Sequence, residues 1–156
     1  MSITLRKAYL DDCTQIHAIQ VESFRALFEK YHDMGTNPGA ESLSRVEERM
    51  KQPFTDYYLI LMEDVIIGVI RIVKRSNTIC RVSPIFILPE YQGNGFAQIA
   101  MLSAEKMYPD AKLWQLDTIL QEGKLCHLYE KLGYHRTGEV EMVQPGMDIV
   151  YYEKQK

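Results

Sequence analysis

The chain has 156 residues, 46% of them hydrophobic and 25% charged, and 18 Lys and Arg stand against 21 Asp and Glu for a net charge of −3. That length supports one domain with a full core, over residues 1–156, and the acidic balance excludes a general nucleic-acid binder, which needs a dense basic face to displace counterions. Cys13, Cys80 and Cys126 are widely spaced with no C-x-x-C pair, so they read as reduced packing residues and not as a disulfide frame or zinc site. No apolar leader opens the chain, and the most apolar stretch, "YYLILMEDVIIGVI", is broken by Glu63 and Asp64. The expectation is a cytoplasmic protein, neither exported nor membrane-spanning.

"ITLRKA" alternates apolar and polar residues and predicts a first strand. Ile16, Ile19, Gln20, Ser23, Phe24, Leu27 and Phe28 then recur at helical offsets behind Asp11 or Asp12 as a cap, as one long helix or two abutting ones. "HDMGTNPGAES" carries Gly35, Pro38 and Gly39 and reads as a loop, followed by a polar helix, "SLSRVEERMK", that stops before Pro53. This loop and helix are expected to be the most mobile parts. "DYYLILM" and "VIIGVIRIV" form a hairpin, and "SNT" turns the chain into a third strand ending at Leu88. Pro84 lies inside that strand and cannot donate to a ladder, so it marks an edge, a bulge or a place where pairing to one neighbour is abandoned. A glycine loop and helix come next, then "KLWQLDTI" as a strand, "QEGKLCHLYEKL" as a helix stopped by Gly133, and "YHRTGEVE" and "MDIVYYEK" as closing strands.

The glycine loop, "PEYQGNGFAQIAM" (Pro89 to Met101), is the most informative stretch. It lacks the lysine and hydroxyl of a P-loop. Gly93-x-Gly95 followed by Asp117 suggests a dinucleotide fold, but Gln98 holds the third glycine position and the chain beyond Asp117 is too short for a doubly wound sheet. The third reading, Gln92-x-x-Gly95-x-Ala97, matches the Arg/Gln-x-x-Gly-x-Gly/Ala motif of the GCN5-related N-acetyltransferases (GNAT). "LYEKLGYHRTGE" (Leu128 to Glu139) also resembles that family's helix-to-strand segment. Small residues at Gly93, Gly95 and Ala97 suit the role, because they let backbone N–H groups and a helix N-terminus close around a pyrophosphate without metal or lysine.

The resemblance implies an α/β fold, a single GNAT-like domain whose mixed, mainly antiparallel and splayed sheet is flanked by helices. It implies acetyl-CoA as the acetyl donor, with cofactor contacts at Gln92, Gly93, Asn94, Gly95, Phe96, Ala97 and Gln98. The pantetheine arm would lie on the backbone of Ile85, Phe86 and Ile87 like an added strand. Tyr129 falls in the matching motif as donor of a proton to the departing thiolate, although it also shares a helical stripe with Leu125, Leu128 and Leu132 that fits plain packing. Asp117 stands where some members carry the acidic residue that accepts the amine proton; capping is its structural alternative. A solvated carboxylate is a weak base, so that role needs burial or a water chain. Glu122 replaces an asparagine that helps hold the cofactor in many members, which makes it an alternative base.

The family's first helices usually wall the acceptor site, so the resemblance adds Glu22, Phe24, Tyr31 and His32 as acceptor contacts, while the run Glu22, Arg25, Glu29 and Lys30 reads by itself as a solvated helix face. His17, His32, His127 and His135 are scattered, and no metal is expected. Cys126 has no readable base near it and is not read as a nucleophile. The expected activity is transfer of an acetyl group to a primary amine by direct attack in a ternary complex. The acceptor is a small-molecule or peptide amine, with no nucleic-acid or membrane partner, and a homodimer stays open. A noncatalytic CoA-binding regulatory module and a small nucleotide-binding oxidoreductase are the rival readings.

Overall fold

A computed structural model describes residues 2–156. Seven strands form one sheet in the order β1-β2-β3-β4-β5-β7-β6, where β1 is Ile3–Lys7, β2 Thr55–Met62, β3 Val65–Lys74, β4 Ile79–Ile87, β5 Leu113–Ile119, β6 His135–Gln144 and β7 Met147–Gln155. Helices α1 (Cys13–Tyr31), α2 (Leu43–Met50), α3 (Phe96–Met107) and α4 (Gly123–Lys131) flank it. Every pairing is antiparallel except β4 with β5. No helix among the described residues is long and apolar enough to cross a membrane.

The central strands explain the two-sided core. The near-continuous apolar runs of β2 and β3 leave no polar face, so both faces must be covered. Tyr58, Ile60, Ile70 and Ile72 pack with Ala100, Met101, Ala104 and Trp114 on one side. Tyr57, Leu59 and Val69 pack with Ile16, Ile19 and Val46 on the other. The first helix is unbroken. Asp12 does not cap it: its carboxylate accepts the Tyr9 N–H at 2.9 Å and closes the 3-10 turn Leu10–Asp12 that precedes the helix. The loop after α1 carries hydrogen bonds of its own. Asn37 is buried, accepts the Gly39 N–H at 2.7 Å, and Gln20 reaches from α1 to the Pro38 carbonyl at 2.7 Å.

Two irregularities in β4 position the site. Its register against β3 shifts between Ile70↔Ile85 and Ile72↔Val82, so Ser83 and Pro84 bulge opposite Arg71, whose Nη1 donates to the Ser83 carbonyl at 2.9 Å. On its other edge β4 pairs β5 only at Ile79↔Leu113, Cys80↔Trp114 and Arg81↔Gln115. From Val82 onward the two parallel strands part.

Gly68 lets β3 and β4 meet closely. A Cβ built there would be driven into the Phe86 carbonyl oxygen and would lie 2.9 Å from Ile87 Cδ1. Gly68→Ala must therefore move backbone, and we expect a loss of about 1–3 kcal/mol in urea unfolding. An unchanged midpoint would mean that β4 shifts freely against β3.

Candidate active site

The unpaired stretch of β4, from Val82 to Ile87, leads into the glycine loop. β4 runs into a 3-10 turn at Pro89–Tyr91, and α3 starts at Phe96. Gly93 and Gly95 hold φ of +80° and +78°, a left-handed conformation that side-chain-bearing residues rarely adopt, and nothing lies within 4 Å of a Cβ built on either. Glycine is required here by the backbone turn, and the space in front stays open. Among the described residues, the backbone N–H groups of Gly93, Asn94, Gly95, Phe96, Ala97 and Gln98 donate to no protein acceptor; the next amide, Ile99, closes the helix ladder on the Gly95 carbonyl at 3.2 Å. A run of free N–H groups at the positive end of a helix is suited to holding an anion.

Side chains in the loop brace it. Gln92 Nε2 donates to the Ile87 carbonyl at 2.8 Å, and Asn94 Nδ2 donates to the Tyr91 carbonyl at 3.2 Å. Phe96 anchors the helix start in the core, while Ala97 and Gln98 are half-buried. The donors left free in the loop are therefore those of the backbone. Behind the loop, the β5-facing edge of β4 beyond Arg81, including Ile85, Phe86 and Ile87, has no strand partner. An extended chain could add to that edge by main-chain hydrogen bonds.

Tyr129 sits on the buried face of α4, with its ring among Tyr134 and Tyr152 at centroid distances of 6.3 and 6.4 Å. Its hydroxyl has no protein hydrogen-bond partner among the described residues. It also differs from the sealed orphan groups, such as Tyr57 Oη and Tyr134 Oη, because it is not closed off from solvent. Burial pushes its phenol well up, and the charge of Asp117 adds to that shift, so the group stays protonated at neutral pH.

Asp117 lies on the face of β5 opposite the buried Trp114 and Leu116 and forms an ion pair with Arg81 of β4. Arg81 was not singled out in the sequence; its only signal was a cation in a strand between the buried Cys80 and Val82. Glu122, at the start of α4, receives Lys30 Nζ and Tyr31 Oη, each at 2.6 Å and both on Oε2. Partial burial pushes its carboxyl up, but those two hydrogen bonds outweigh it and hold the group below the usual carboxylate range. As a base Glu122 is thus disfavoured. Gln144 of β6 adds a 2.7 Å bond to the Tyr31 carbonyl, so the end of α1 is fastened to the mouth of the parted strands.

The remaining expected acceptor residues divide. Phe24 turns inward, its ring edge-on to Phe86 of β4 at 5.5 Å. Glu22 is paired with Arg25 at 2.6 Å on an exposed stretch of α1. His32 is an exposed left-handed helix cap with φ of 53° and its ring near Phe28 at 5.9 Å. The structure does not bring Glu22 or His32 together with Asp117 or Tyr129 in any hydrogen bond, ion pair or ring contact among the described residues.

Comparison with known proteins gives one consistent family. The GNAT acetyltransferase domain family matches residues 27–156. No curated protein sequence matches the chain. Among solved structures, an acetyltransferase from Thermus thermophilus superposes with a TM-score of 0.78 at 12% identity, covering 100% of this chain and 98% of that one. The spermidine N-acetyltransferase of Vibrio cholerae in complex with CoA and spermine is similar at 21% identity and TM-score 0.77, over 98% and 95% of the two chains. The PaiA N-acetyltransferase of Thermoplasma acidophilum in complex with coenzyme A is similar at 18% identity and TM-score 0.72, over 100% of both. With a parted parallel strand pair, a left-handed double-glycine loop and a family match over most of its length, the chain belongs to the GNAT acetyltransferase family, whose acetyl donor is acetyl-CoA.

Proposed function

We propose that this chain transfers an acetyl group from acetyl-CoA to the primary amine of a small-molecule or peptide acceptor, by direct attack in a ternary complex. The observation that carries the reading is the free N–H run from Gly93 to Gln98, set beside an unpaired β4 edge. Gln92 through Gln98 hold the pyrophosphate, chiefly through backbone N–H groups. Ile85, Phe86 and Ile87 hold the pantetheine arm. Bound acetyl-CoA supplies a thioester whose C–S bond breaks as the amine nitrogen forms the new C–N bond. Tyr129 delivers a proton to the departing sulfur, and Asp117 takes the proton that the amine must lose, directly or through water. Phe24 and Tyr31 wall the acceptor side, and the exposed Glu22 and His32 are available to an acceptor from the same helix and its cap. A cytoplasmic location and a single domain over 1–156 belong to the same proposal.

Three variants test the separate roles. Gly95→Glu adds bulk and charge in the loop, and it should weaken acetyl-CoA binding at least about tenfold, or about 1.4 kcal/mol, in a calorimetric titration. The left-handed turn also disfavours the new residue, so its circular dichroism and melting curve must accompany the titration; unchanged affinity would remove the loop as the phosphate site.

Asp117→Asn should depress the rate most at moderate pH and recover as rising pH deprotonates the free acceptor amine. A loss of equal size at every pH, with a lower melting temperature, would assign Asp117 to the ion pair alone.

Tyr129→Phe keeps the packed ring and breaks no internal hydrogen bond, so its stability should stay within about 0.5 kcal/mol of wild type. General-acid help contributes roughly 10²–10⁴ in rate. We expect kcat to fall at least about tenfold with acetyl-CoA affinity nearly unchanged, and a kcat within about twofold of wild type would take Tyr129 out of the mechanism.

A further inference from the structure

The point where β4 and β5 part is spanned by a matched pair of opposite charges. Arg81 is the last β4 residue paired to β5, opposite Gln115, and Asp117 lies two positions further along β5. Their ion pair therefore crosses the opening instead of lying within a zipped ladder. Both side chains stay partly accessible, at 22% for Arg81 and 30% for Asp117. Around them the other charges are already committed. Arg75 donates to Gln115 at 2.9 Å, Gln115 donates to Glu153 at 3.1 Å, and Tyr151, which faces Asp117 across β7, donates to Glu141 at 2.8 Å.

We propose that Arg81 is a specificity residue and that the acceptor is a free α-amino acid, carrying a carboxylate next to its amine. This rests on the reading of Asp117 as the group that receives the amine. A site that offers its acceptor one carboxylate and one guanidinium is electrically neutral, and a zwitterion satisfies both halves at once. The acceptor ammonium replaces Arg81 at Asp117, while its carboxylate replaces Asp117 at Arg81, so no charge is left uncompensated on binding. The guanidinium has the planar fork that recognises a carboxylate through two parallel hydrogen bonds. A simple amine or a polyamine would pull Asp117 away and leave Arg81 unpaired, a cation facing a cation. Recognition by a buried or half-buried polar group discriminates strongly against an analogue that lacks the partner.

The test measures kcat/KM, by released CoA thiol, for L-phenylalanine against phenethylamine, L-methionine against methioninamide, and spermidine. The methioninamide amine is the less basic of its pair, so it separates carboxylate recognition from amine basicity. The wild-type enzyme should favour each amino acid over its carboxylate-free partner by at least about tenfold. Arg81→Gln should reduce that ratio by a similar factor, and Arg81→Lys should retain part of it. Preference for phenethylamine, methioninamide or spermidine in the wild-type enzyme overturns the inference without any variant having to fold. An unchanged ratio in folded Arg81→Gln overturns it as well. Turnover of amines but not amino acids refutes this specificity and leaves the acetyltransferase reading standing; no turnover of any acceptor by a protein that binds acetyl-CoA refutes both.

Discussion

A strand edge left unpaired inside a sheet is the constraint on which the rest of this structure depends. Buried backbone N–H and C=O groups are costly when unmatched, so interior strands normally pair on both sides. Here β4 keeps β3 along its length but releases β5 after Arg81. The β3 side is made unusually firm. Gly68 permits close approach, and the guanidinium of Arg71 satisfies the Ser83 carbonyl at the bulge. A strand held this firmly on one side can offer its other edge to a ligand without unravelling.

Each neighbouring element then has a job set by that opening. The free N–H run lies where β4 ends, at a turn that the left-handed glycines allow. An acidic protein can in this way hold a polyanion with no lysine or arginine in the loop, the charge being met by peptide dipoles. On the far side, α4 presents Tyr129 from a buried face and Glu122 from its first turn. Glu122 is used to dock the end of α1 through Lys30 and Tyr31. Two carboxylates are thereby separated in role by their partners: Glu122 is tied into a helix junction, and Asp117 is held by a single guanidinium across the gap.

Much of this was legible in the sequence. The long apolar runs of β2 and β3, the glycines bracketing Asn94 and the helical stripe around Tyr129 each carry a local physical signal, and each element formed close to its expected bounds. Pro84 correctly marked both a bulge and a lost pairing. What stayed hidden depended on contacts far apart in the chain. Arg81 meets Asp117 across 36 positions, and Tyr31 meets Glu122 across 91, so neither pair leaves a periodic trace. Asp12 stands at the expected position ahead of α1, but a 3-10 turn inserted there draws its carboxylate to the Tyr9 N–H and away from the helix amides. In the loop from His32 to Ser42 the composition is that of a turn, and the hydrogen bonds that Asn37 and Gln20 supply there are not revealed by composition alone.

If the parted β4 edge and the glycine loop together form one cofactor site, backbone amide NMR during a coenzyme A titration will show it. The largest shifts should fall on Gly93, Asn94, Gly95, Phe96 and Ala97 and extend along β4 through Ile85 and Ile87, all following one saturation curve. Shifts centred instead on the cavity of about 480 Å³ between the β3–β4 turn and the end of α3, at Asn77, Cys80 and Tyr108, would contradict it.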